Sequence, residues 1–392
     1  TIEAAFNRLD QPTALGYSSA GTIVEIGPGL EGFKVGDRVA CAGGGFAVHA
    51  EYAVVPQNLL IPLPDEVDFE SAAFTTLGGI ALQGFRLARP QIGDRVAVIG
   101  LGLLGLLTAQ IAKAAGCQVF GLDLSPARVA LARQFGITAV PRADAETAGR
   151  AFTSGRGFDA VLICADSRSN DPAELAGALC RDRGQVISIG VVGLNLPRKV
   201  YYEKEIHFQV SRSYGPGRYD PAYEERGVDY PYGYVRWTEG RNLSAFVELL
   251  AGGQVDVKPL ITHRFAIDSA ADAYALITGK AQQPYMGVLL AYPQDQAQPA
   301  SRRVELRPAT PALAGAPRLG VLGAGNYASA VFLPNVQAVG GAERIGIASA
   351  SGMSARTAAQ RYGFRYASSS EQQVLEDPEV NLLAILTRHN QH

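Results

Sequence analysis

Hydrophobic and polar positions follow two patterns along most of the chain. Residues 1–85 carry short apolar runs between frequent Gly and Pro turns, which predicts a β-rich domain with strands at 22–26, 38–41 and 51–55. From Arg95 onward, apolar runs of strand length alternate with longer segments of helical periodicity. This alternation predicts the α/β fold class, with a doubly wound parallel sheet.

Individual elements follow from the same pattern. Ser125 and Pro126 begin a helix, because Ser is a good N-cap and Pro fits the first helical position. A stretch at 201–234, which holds many of the tyrosines, is predicted as a long ordered loop. The other predicted strands are Arg95–Ile99, 118–122, 160–164, 185–189 and 259–265, and the other predicted helices are 103–115, 172–180, 243–250 and 269–277.

A Pro-, Gln- and Ala-rich stretch at 294–316 predicts a linker. After it, the strand Arg318–Leu322 begins a second strand–glycine–helix pattern. The two glycine-rich segments are not close copies of each other. They therefore predict two domains rather than a repeat array.

The first glycine segment, Gly100-Leu101-Gly102-Leu103-Leu104-Gly105, has the spacing G-x-G-x-x-G between an apolar strand and a helix. Gly100 allows a tight turn, Gly102 lets the backbone approach a pyrophosphate, and Gly105 lets the helix pack on the sheet. The N–H groups of Leu103 and Leu104 open the helix and face the phosphates.

The next strand ends in Asp123, which can accept hydrogen bonds from the ribose hydroxyls. Its charge repels a 2′-phosphate, so the pattern predicts NAD rather than NADP, a preference that the nearby Arg128 weakens. The alternative is a glycine turn of a doubly wound fold without a dinucleotide.

The amino-acid composition argues against several classes of partner. The 392 residues carry a net charge of −2, with 18% charged residues and no broad basic surface, so we expect no nucleic-acid partner. The four cysteines form no Cys-x-x-Cys pair, which favours reduced thiols in the cytoplasm. The apolar run at 96–112 contains the motif glycines, so we expect no membrane span.

Residues 14–291 resemble the medium-chain dehydrogenase/reductase family, of the alcohol dehydrogenase type. The matching segments are LGYSSAG at 15–21, VGDRV at 35–39, the glycine motif, and PLITH at 259–263. The resemblance implies a GroES-like substrate domain interrupted by a Rossmann domain, with the active site in the cleft. The implied parts are a GroES-like domain at 1–85 that lacks its start, an NAD-binding Rossmann domain at 86–242, and a return segment of the substrate domain at 243–293.

Residues 317–392 resemble the start of the Gfo/Idh/MocA oxidoreductase family, through GVLGAG at 320–325 and AILTRH at 384–389. Together the halves are similar to bi-domain oxidoreductases often associated with polysaccharide biosynthesis. The resemblance implies a second, incomplete Rossmann domain, and a chain that is a fragment at both ends. Its dinucleotide site is predicted at Gly323, Gly325, Ala328 and Ser349. NAD and NADP both stay open there, because the second strand ends without an acid and Arg356 is near.

The first half departs from zinc-dependent members of its family. Tyr17 stands where those members carry a His, and Leu77 stands where they often carry a Cys. A catalytic zinc needs about three protein ligands. The departures predict a zinc-independent enzyme, although an unusual site built from Cys41, His49 and Glu51 stays an alternative.

Without zinc, side chains must move the proton and polarise the carbonyl. Tyr17 is one candidate, with a packed aromatic as the alternative. His49 follows three glycines and is the other, with a surface histidine bonded to Glu51 as the alternative.

Tyr214, Arg218 and Tyr219 suit a sugar or sugar nucleotide, because aromatic faces and planar donors bind such ligands. A packing or dimer surface is the alternative for them, so a homo-oligomer stays open.

Three hypotheses follow for the whole chain. The first is an NAD-dependent, zinc-independent oxidoreductase acting on a polyol, sugar or sugar nucleotide. The second is a zinc polyol dehydrogenase with unusual ligands such as Cys41. The third is a non-catalytic NAD(H)-binding scaffold or redox sensor.

Overall fold

A computed structural model describes residues 14–293, 301–308, 315–350 and 352–389. The chain divides into a larger unit at 14–293 and a smaller unit whose described residues lie between 301 and 389. Most of the linker predicted at 294–316 lies outside the described residues, but its described part contains the strand Arg303–Glu305, which pairs with Tyr366–Ser368 of the smaller unit.

The larger unit begins with an antiparallel sheet in the order β1-β2-β3, followed by two helices. Asp68 caps the first helix, where its carboxylate accepts a hydrogen bond from Ser71 N at 2.7 Å. These elements are β1 Ser18–Thr22, β2 Arg38–Ala42, β3 Leu60–Pro62, α1 Phe69–Ala72 and α2 Thr75–Leu87.

Two strands predicted in this region are wrong, while the strand predicted at 38–41 is confirmed. The first strand lies at Ser18–Thr22, because these small residues pair with β2, whereas Val24 within the predicted strand is 57% exposed. Residues 51–55 form no strand, with bends only at 51 and 52, and Val54 is 93% exposed. Alternating apolar residues predicted strands at both places, but tertiary pairing decided the outcome.

The centre of the larger unit is a six-stranded parallel sheet in the order β6-β5-β4-β7-β8-β9. The order in which strands are added to the sheet switches sides between β4 and β7, as in dinucleotide-binding sheets. The predicted doubly wound sheet is confirmed. Its strands are β4 Arg95–Ile99, β5 Gln118–Asp123, β6 Thr138–Pro141, β7 Phe158–Ile163, β8 Cys180–Ser188 and β9 His207–Val210, and its helices are α3 Leu103–Ala114, α4 Pro126–Gln134, α5 Ala145–Phe152, α6 Asp171–Leu179 and α7 Arg198–Glu203.

The local signals behind these elements act as the sequence predicts. Ser125 Oγ accepts a hydrogen bond from Arg128 N, and Pro126 is the first residue of α4. The middle strand β4 is buried from Val96 to Ile99, which fits a strand covered on both faces.

Residues 211–293 complete the larger unit. The loop predicted at 201–234 is wrong at its start, because residues 201–203 end α7 and His207–Val210 form the sheet strand β9. Beyond β9, the predicted loop is irregular apart from the short helix α8. Strands β10 and β11 form a parallel pair. Helix α9 packs closely on α2, since a Cβ on Gly78 would lie 2.1 Å from the Phe246 ring. These elements are α8 Pro221–Glu224, α9 Glu239–Ala251, β10 Ile261–Ala266, α10 Ala270–Ile277 and β11 Gly287–Ala291.

The smaller unit contains a five-stranded sheet in the order β12-β15-β14-β13-β16. All neighbouring strands are parallel except β12 with β15. Val321 and Ile347 are fully buried at its centre. The elements are β12 Arg303–Glu305, β13 Arg318–Leu322, α11 Leu333–Val339, β14 Glu343–Ala348, α12 Met353–Tyr362, β15 Tyr366–Ser368, α13 Gln372–Leu375 and β16 Leu382–Ile385.

No helix within the described residues has both the length and the apolar character needed to cross a membrane.

Candidate functional site

The glycine turn between β4 and α3 has two crowded positions and one open position. A Cβ on Gly100, at φ +92°, would lie 2.7 Å from Ala165 N, and a Cβ on Gly105 would lie 1.8 Å from Gly100 O. A Cβ on Gly102 would meet only Arg128 Nη1, at 3.9 Å. The open side of Gly102 is where a pyrophosphate would approach the backbone.

The first turn of α3 faces the same space. The cap residue Gly102 makes no side-chain hydrogen bond, and the first helical residues are Leu103 and Leu104. The first N–H groups of a helix have no acceptor within the helix, and the helix dipole is positive there. These donors can bind phosphate oxygens.

Asp123 ends β5 beside the glycine turn and is 7% exposed. Its carboxylate accepts hydrogen bonds from Leu101 N and Ser125 N, both at 2.7 Å. It therefore holds the turn in place, a role that spacing alone did not indicate. A carboxylate has about four acceptor positions, so two stay available for ribose hydroxyls.

Arg128 lies between the Asp123 carboxylate and the open side of Gly102. Its Nη1 atom is 3.8 Å from Asp123 Oδ2, and its side chain is 44% exposed. The guanidinium can turn towards a phosphate without leaving the Asp123 carboxylate unpaired, because Leu101 N and Ser125 N still donate to it. This geometry supports its predicted place in the dinucleotide site.

Tyr17 and His49 belong to adjoining segments. Gly43 N donates to Tyr17 O at 3.0 Å, and His49 N donates to Leu15 O at 2.8 Å. The His49 ring lies against Gly16, whose Cβ would be 2.8 Å from Nδ1. The fold thus brings both predicted proton-handling residues to one edge of the β-rich region.

Tyr17 is 46% exposed and His49 is also exposed, so only the enclosed part of each side chain shifts its pKa. Burial raises the pKa of Tyr17, whose hydroxyl therefore stays protonated at neutral pH. It lowers the pKa of His49, whose ring therefore stays neutral and can accept a proton. The His49 ring also packs edge-on against Tyr274, at 6.1 Å between centroids.

The described residues do not provide the donor set of a zinc site. No three His, Cys, Asp or Glu side chains among them come together, so the alternative site at Cys41, His49 and Glu51 is wrong. Burial raises the pKa of the Cys41 thiol to about 11, so without a metal this thiol is protonated at neutral pH. Leu77 packs against the hydrophobic core. Residues 1–13 lie outside the described part.

A buried polar cluster surrounds Arg218. Its Nη1 atom pairs with Glu224 Oε1 at 2.5 Å, and its guanidinium carbon lies 3.9 Å from the centre of the Tyr219 ring. Tyr214 is 2% exposed, and its ring centre is 5.4 Å from the same carbon. The structure therefore brings the three predicted substrate residues together.

Glu239 belongs to this cluster, although the sequence did not single it out. It is fully buried, and neither carboxylate oxygen has a hydrogen-bond partner among the described residues. Tyr214 Oη and Arg218 Nε are also buried without partners there. Burial, and then the charge of Glu224, raise the pKa of Glu239 to about 8. We call Tyr214, Arg218, Tyr219, Glu224 and Glu239 the Arg218 cluster.

The backbone around the Arg218 cluster is strained. Ser213 and Tyr219 have φ values of 52° and 68°, which residues other than glycine rarely adopt. A Cβ on Gly44 would lie 3.6 Å from Arg218 Nη2, so the cluster adjoins the glycine segment that precedes His49. Strained backbone of this kind tends to occur at functional sites.

The glycine turn of the smaller unit resembles the first one. Gly323 has φ +99°, and its Cβ would lie 2.9 Å from the Leu386 carbonyl carbon, whereas a Cβ on Gly325 would meet no atom within 4 Å. Ala328 is 1% exposed and begins a π-helical turn. Ser349 Oγ accepts a hydrogen bond from Ala355 N at 3.0 Å, at the start of α12.

Known families and proteins match the sequence of the larger unit. The alcohol dehydrogenase GroES-like domain family matches residues 2–65, and the zinc-binding dehydrogenase family matches residues 104–225. The sorbitol dehydrogenase of Halalkalibacterium halodurans is 30% identical over 311 residues, which cover 69% of this chain and 82% of that protein. The D-xylulose reductase of Saccharomyces cerevisiae is 25% identical over 304 residues, 68% of this chain and 78% of that protein.

A solved structure shares the fold. Galactitol-1-phosphate dehydrogenase from Escherichia coli superposes with a TM-score of 0.59 at 23% identity, covering 72% of this chain and 86% of that one. From the sequence matches, the chain belongs to the zinc-type alcohol dehydrogenase family of medium-chain dehydrogenases/reductases and is an NAD(P)-dependent oxidoreductase.

Proposed function

We propose that the larger unit transfers a hydride between NAD and a polyol, sugar or sugar nucleotide without a catalytic zinc. The observation that carries this proposal is the glycine turn, which is crowded at Gly100 and Gly105 and open at Gly102. When bound, the nicotinamide takes up or gives back the hydride. Leu103, Leu104, Asp123 and Arg128 complete the proposed cofactor site.

His49 and Tyr17 share the proton chemistry in this proposal. In the oxidation direction, the neutral His49 ring accepts the hydroxyl proton as the carbinol C–H bond breaks and the carbonyl forms. Tyr17 stays protonated and donates a hydrogen bond to the developing carbonyl oxygen. The neighbouring positions of the two segments support these roles, and the directions in which burial shifts the two pKa values are compatible with them.

The substrate class follows from relatives and from the Arg218 cluster. Two of the relatives described above are named for sorbitol and D-xylulose. The Tyr219 ring is 57% exposed and can contact a sugar. Tyr214 Oη and Arg218 Nε are buried donors without partners among the described residues, so a sugar would reach them only if the Arg218 cluster opens.

The domain boundaries at 85, 242 and 293 remain part of the proposal, as does the role of the smaller unit. Its parallel strands β15-β14-β13-β16 support a second dinucleotide site of the Gfo/Idh/MocA type, for NAD or NADP. Gly323, Gly325, Ala328 and Ser349 would hold the dinucleotide there.

A substrate panel tests the reaction. We expect the protein to produce NADH from NAD with at least one member of a panel of pentitols, hexitols, aldoses and sugar nucleotides. Absorbance of the reduced nicotinamide measures this. NADH binding without turnover on the whole panel would favour the non-catalytic scaffold instead.

Cofactor preference depends on Asp123. We expect NADH to bind more tightly than NADPH, and Asp123→Asn to narrow the difference about tenfold, because it removes the charge that repels a 2′-phosphate. Asp123→Ala should weaken both cofactors, since the Leu101 N–H loses its acceptor. Fluorescence titration measures both affinities. Tighter NADPH binding by the unchanged protein would contradict this assignment.

The zinc content of the purified protein tests whether side chains, rather than a catalytic zinc, handle the proton. The family is named for zinc, whereas Tyr17 and Leu77 are not zinc ligands. We expect protein purified without added zinc to hold far less than one zinc per chain and to keep its activity in a chelator. One tightly held zinc, lost together with activity, would favour the zinc polyol dehydrogenase.

A further inference from the structure

Trp237 contacts two arginines in the larger unit, away from the glycine turn in sequence. The guanidinium carbon of Arg86 is 3.2 Å from the centre of the indole ring, and that of Arg236 is 3.8 Å from it. Trp237 is the one tryptophan of the chain. We call Arg86, Arg236 and Trp237 the Arg–Trp–Arg stack.

The positive charge of the stack is not balanced. No carboxylate forms an ion pair with Arg86 or Arg236 among the described residues, and Arg86 Nε donates instead to Asn242 Oδ1 at 2.9 Å. Burial, and then the charge of Arg236, lower the pKa of Arg86 to about 10. The two like charges therefore oppose each other in the resting protein.

The neighbouring groups add to the imbalance. Arg241 also contacts the Tyr232 ring, and its partner is Asp229. Asp229 pairs with Arg241 and with neither arginine of the stack, so it leaves the charges of Arg86 and Arg236 uncompensated. The negative end of the α2 dipole stabilises one positive charge at Arg86, but its effect fades within one turn.

The stack is open to a ligand. Arg236 is exposed, while Trp237 and Arg86 are half-buried. The ring of Tyr232, which Arg236 also contacts at 4.8 Å, is 57% exposed. Stacking fixes each guanidinium plane on an aromatic face, so the N–H groups at its edge stay available.

We propose that the Arg–Trp–Arg stack binds a phosphate group. Two planar guanidinium groups provide paired N–H donors that match phosphate oxygens, and a dianion compensates both charges where a single carboxylate compensates one. The phosphate can be free or part of a sugar phosphate or nucleoside diphosphate. This site requires neither hydride transfer nor NAD binding.

The single tryptophan reports on the site directly. Inorganic phosphate, added to the full chain at constant ionic strength and without NADH, should change the Trp237 emission in a saturable way. Arg236→Gln should weaken that response about tenfold or more, because it removes a charged pair of donors. Arg236→Lys, which keeps the charge but loses the paired donors, should fall between them.

A matched control is Arg183→Gln, since Arg183 is an exposed arginine paired with Glu205. It should respond to phosphate as the unchanged protein does, and thermal unfolding should show that all variants fold. Titrations with glucose 6-phosphate, pyrophosphate and uridine diphosphate distinguish a sugar phosphate, a free phosphate compound and a nucleoside diphosphate as the ligand. The compound that binds with the highest affinity identifies the ligand type. A response that does not saturate, or one that Arg236→Gln leaves unchanged, would overturn the proposal.

Discussion

Glu239→Gln is expected to stabilise the folded protein at pH 7 by about 2–3 kcal/mol. Glu239 is fully buried, and its pKa rises from 4.5 to about 8 on folding. The folded chain therefore holds a proton that the unfolded chain releases, so the native residue costs stability as the pH rises from 4.5 towards 8. Glutamine has nearly the same shape and no such cost.

Denaturant unfolding at several pH values measures this effect. The advantage of the variant should be absent near pH 4 and should grow until about pH 8. Glu224→Gln is the matched control and should destabilise the protein, because it leaves Arg218 buried without its ion-pair partner. A less stable Glu239→Gln at pH 7 would mean that the carboxylate is ionised and held by a group outside the described residues.

Gly102→Ala and Gly105→Ala are expected to have opposite effects on stability while both reduce NADH binding. Gly102 has φ −69°, which alanine adopts freely, and its Cβ would meet no backbone atom of the protein within 4 Å. Without bound NADH, the Gly102→Ala variant should be as stable as the unchanged protein or slightly more stable. Its NADH affinity should fall more than tenfold, because the methyl group occupies the approach of the pyrophosphate.

Gly105→Ala should lose both folding stability and NADH affinity. The new Cβ would lie 1.8 Å from the Gly100 carbonyl oxygen, so the turn or the helix must shift. We expect a loss of about 3 kcal/mol and at least a hundredfold weaker NADH binding. Fluorescence titration and denaturant unfolding measure the two quantities. Normal NADH binding by Gly102→Ala would show that no dinucleotide crosses the open side of the turn.

Sequence patterns predicted the centre of the fold better than its beginning. The strands around the first glycine motif were placed within a few residues, because each is an apolar run bounded by a glycine or a helix cap. The strand Ser18–Thr22 was missed, since its small and polar residues carry no apolar signal and only pairing with β2 defines it.

The same contrast holds for the candidate site. The glycine turn and Asp123 are local in sequence, so their spacing was enough to find them. Glu239 gave no local signal, because an acid in the first turn of a helix is ordinary. The charges that act on Glu239 belong to Arg218 and Glu224, which no spacing rule connects to it.

The close contact between α2 and α9 has a consequence for the order in which the chain folds. Gly78 on α2 is covered by Phe246 on α9, and residues 88–238 separate the two helices in sequence. The neighbouring strands β4 and β5 are connected by one short helix and can pair early, as can α2 with α3, whereas the contact between α2 and α9 requires a very long loop to close. During synthesis, the Gly78 face of α2 therefore stays uncovered until α9 has emerged, after the whole central sheet.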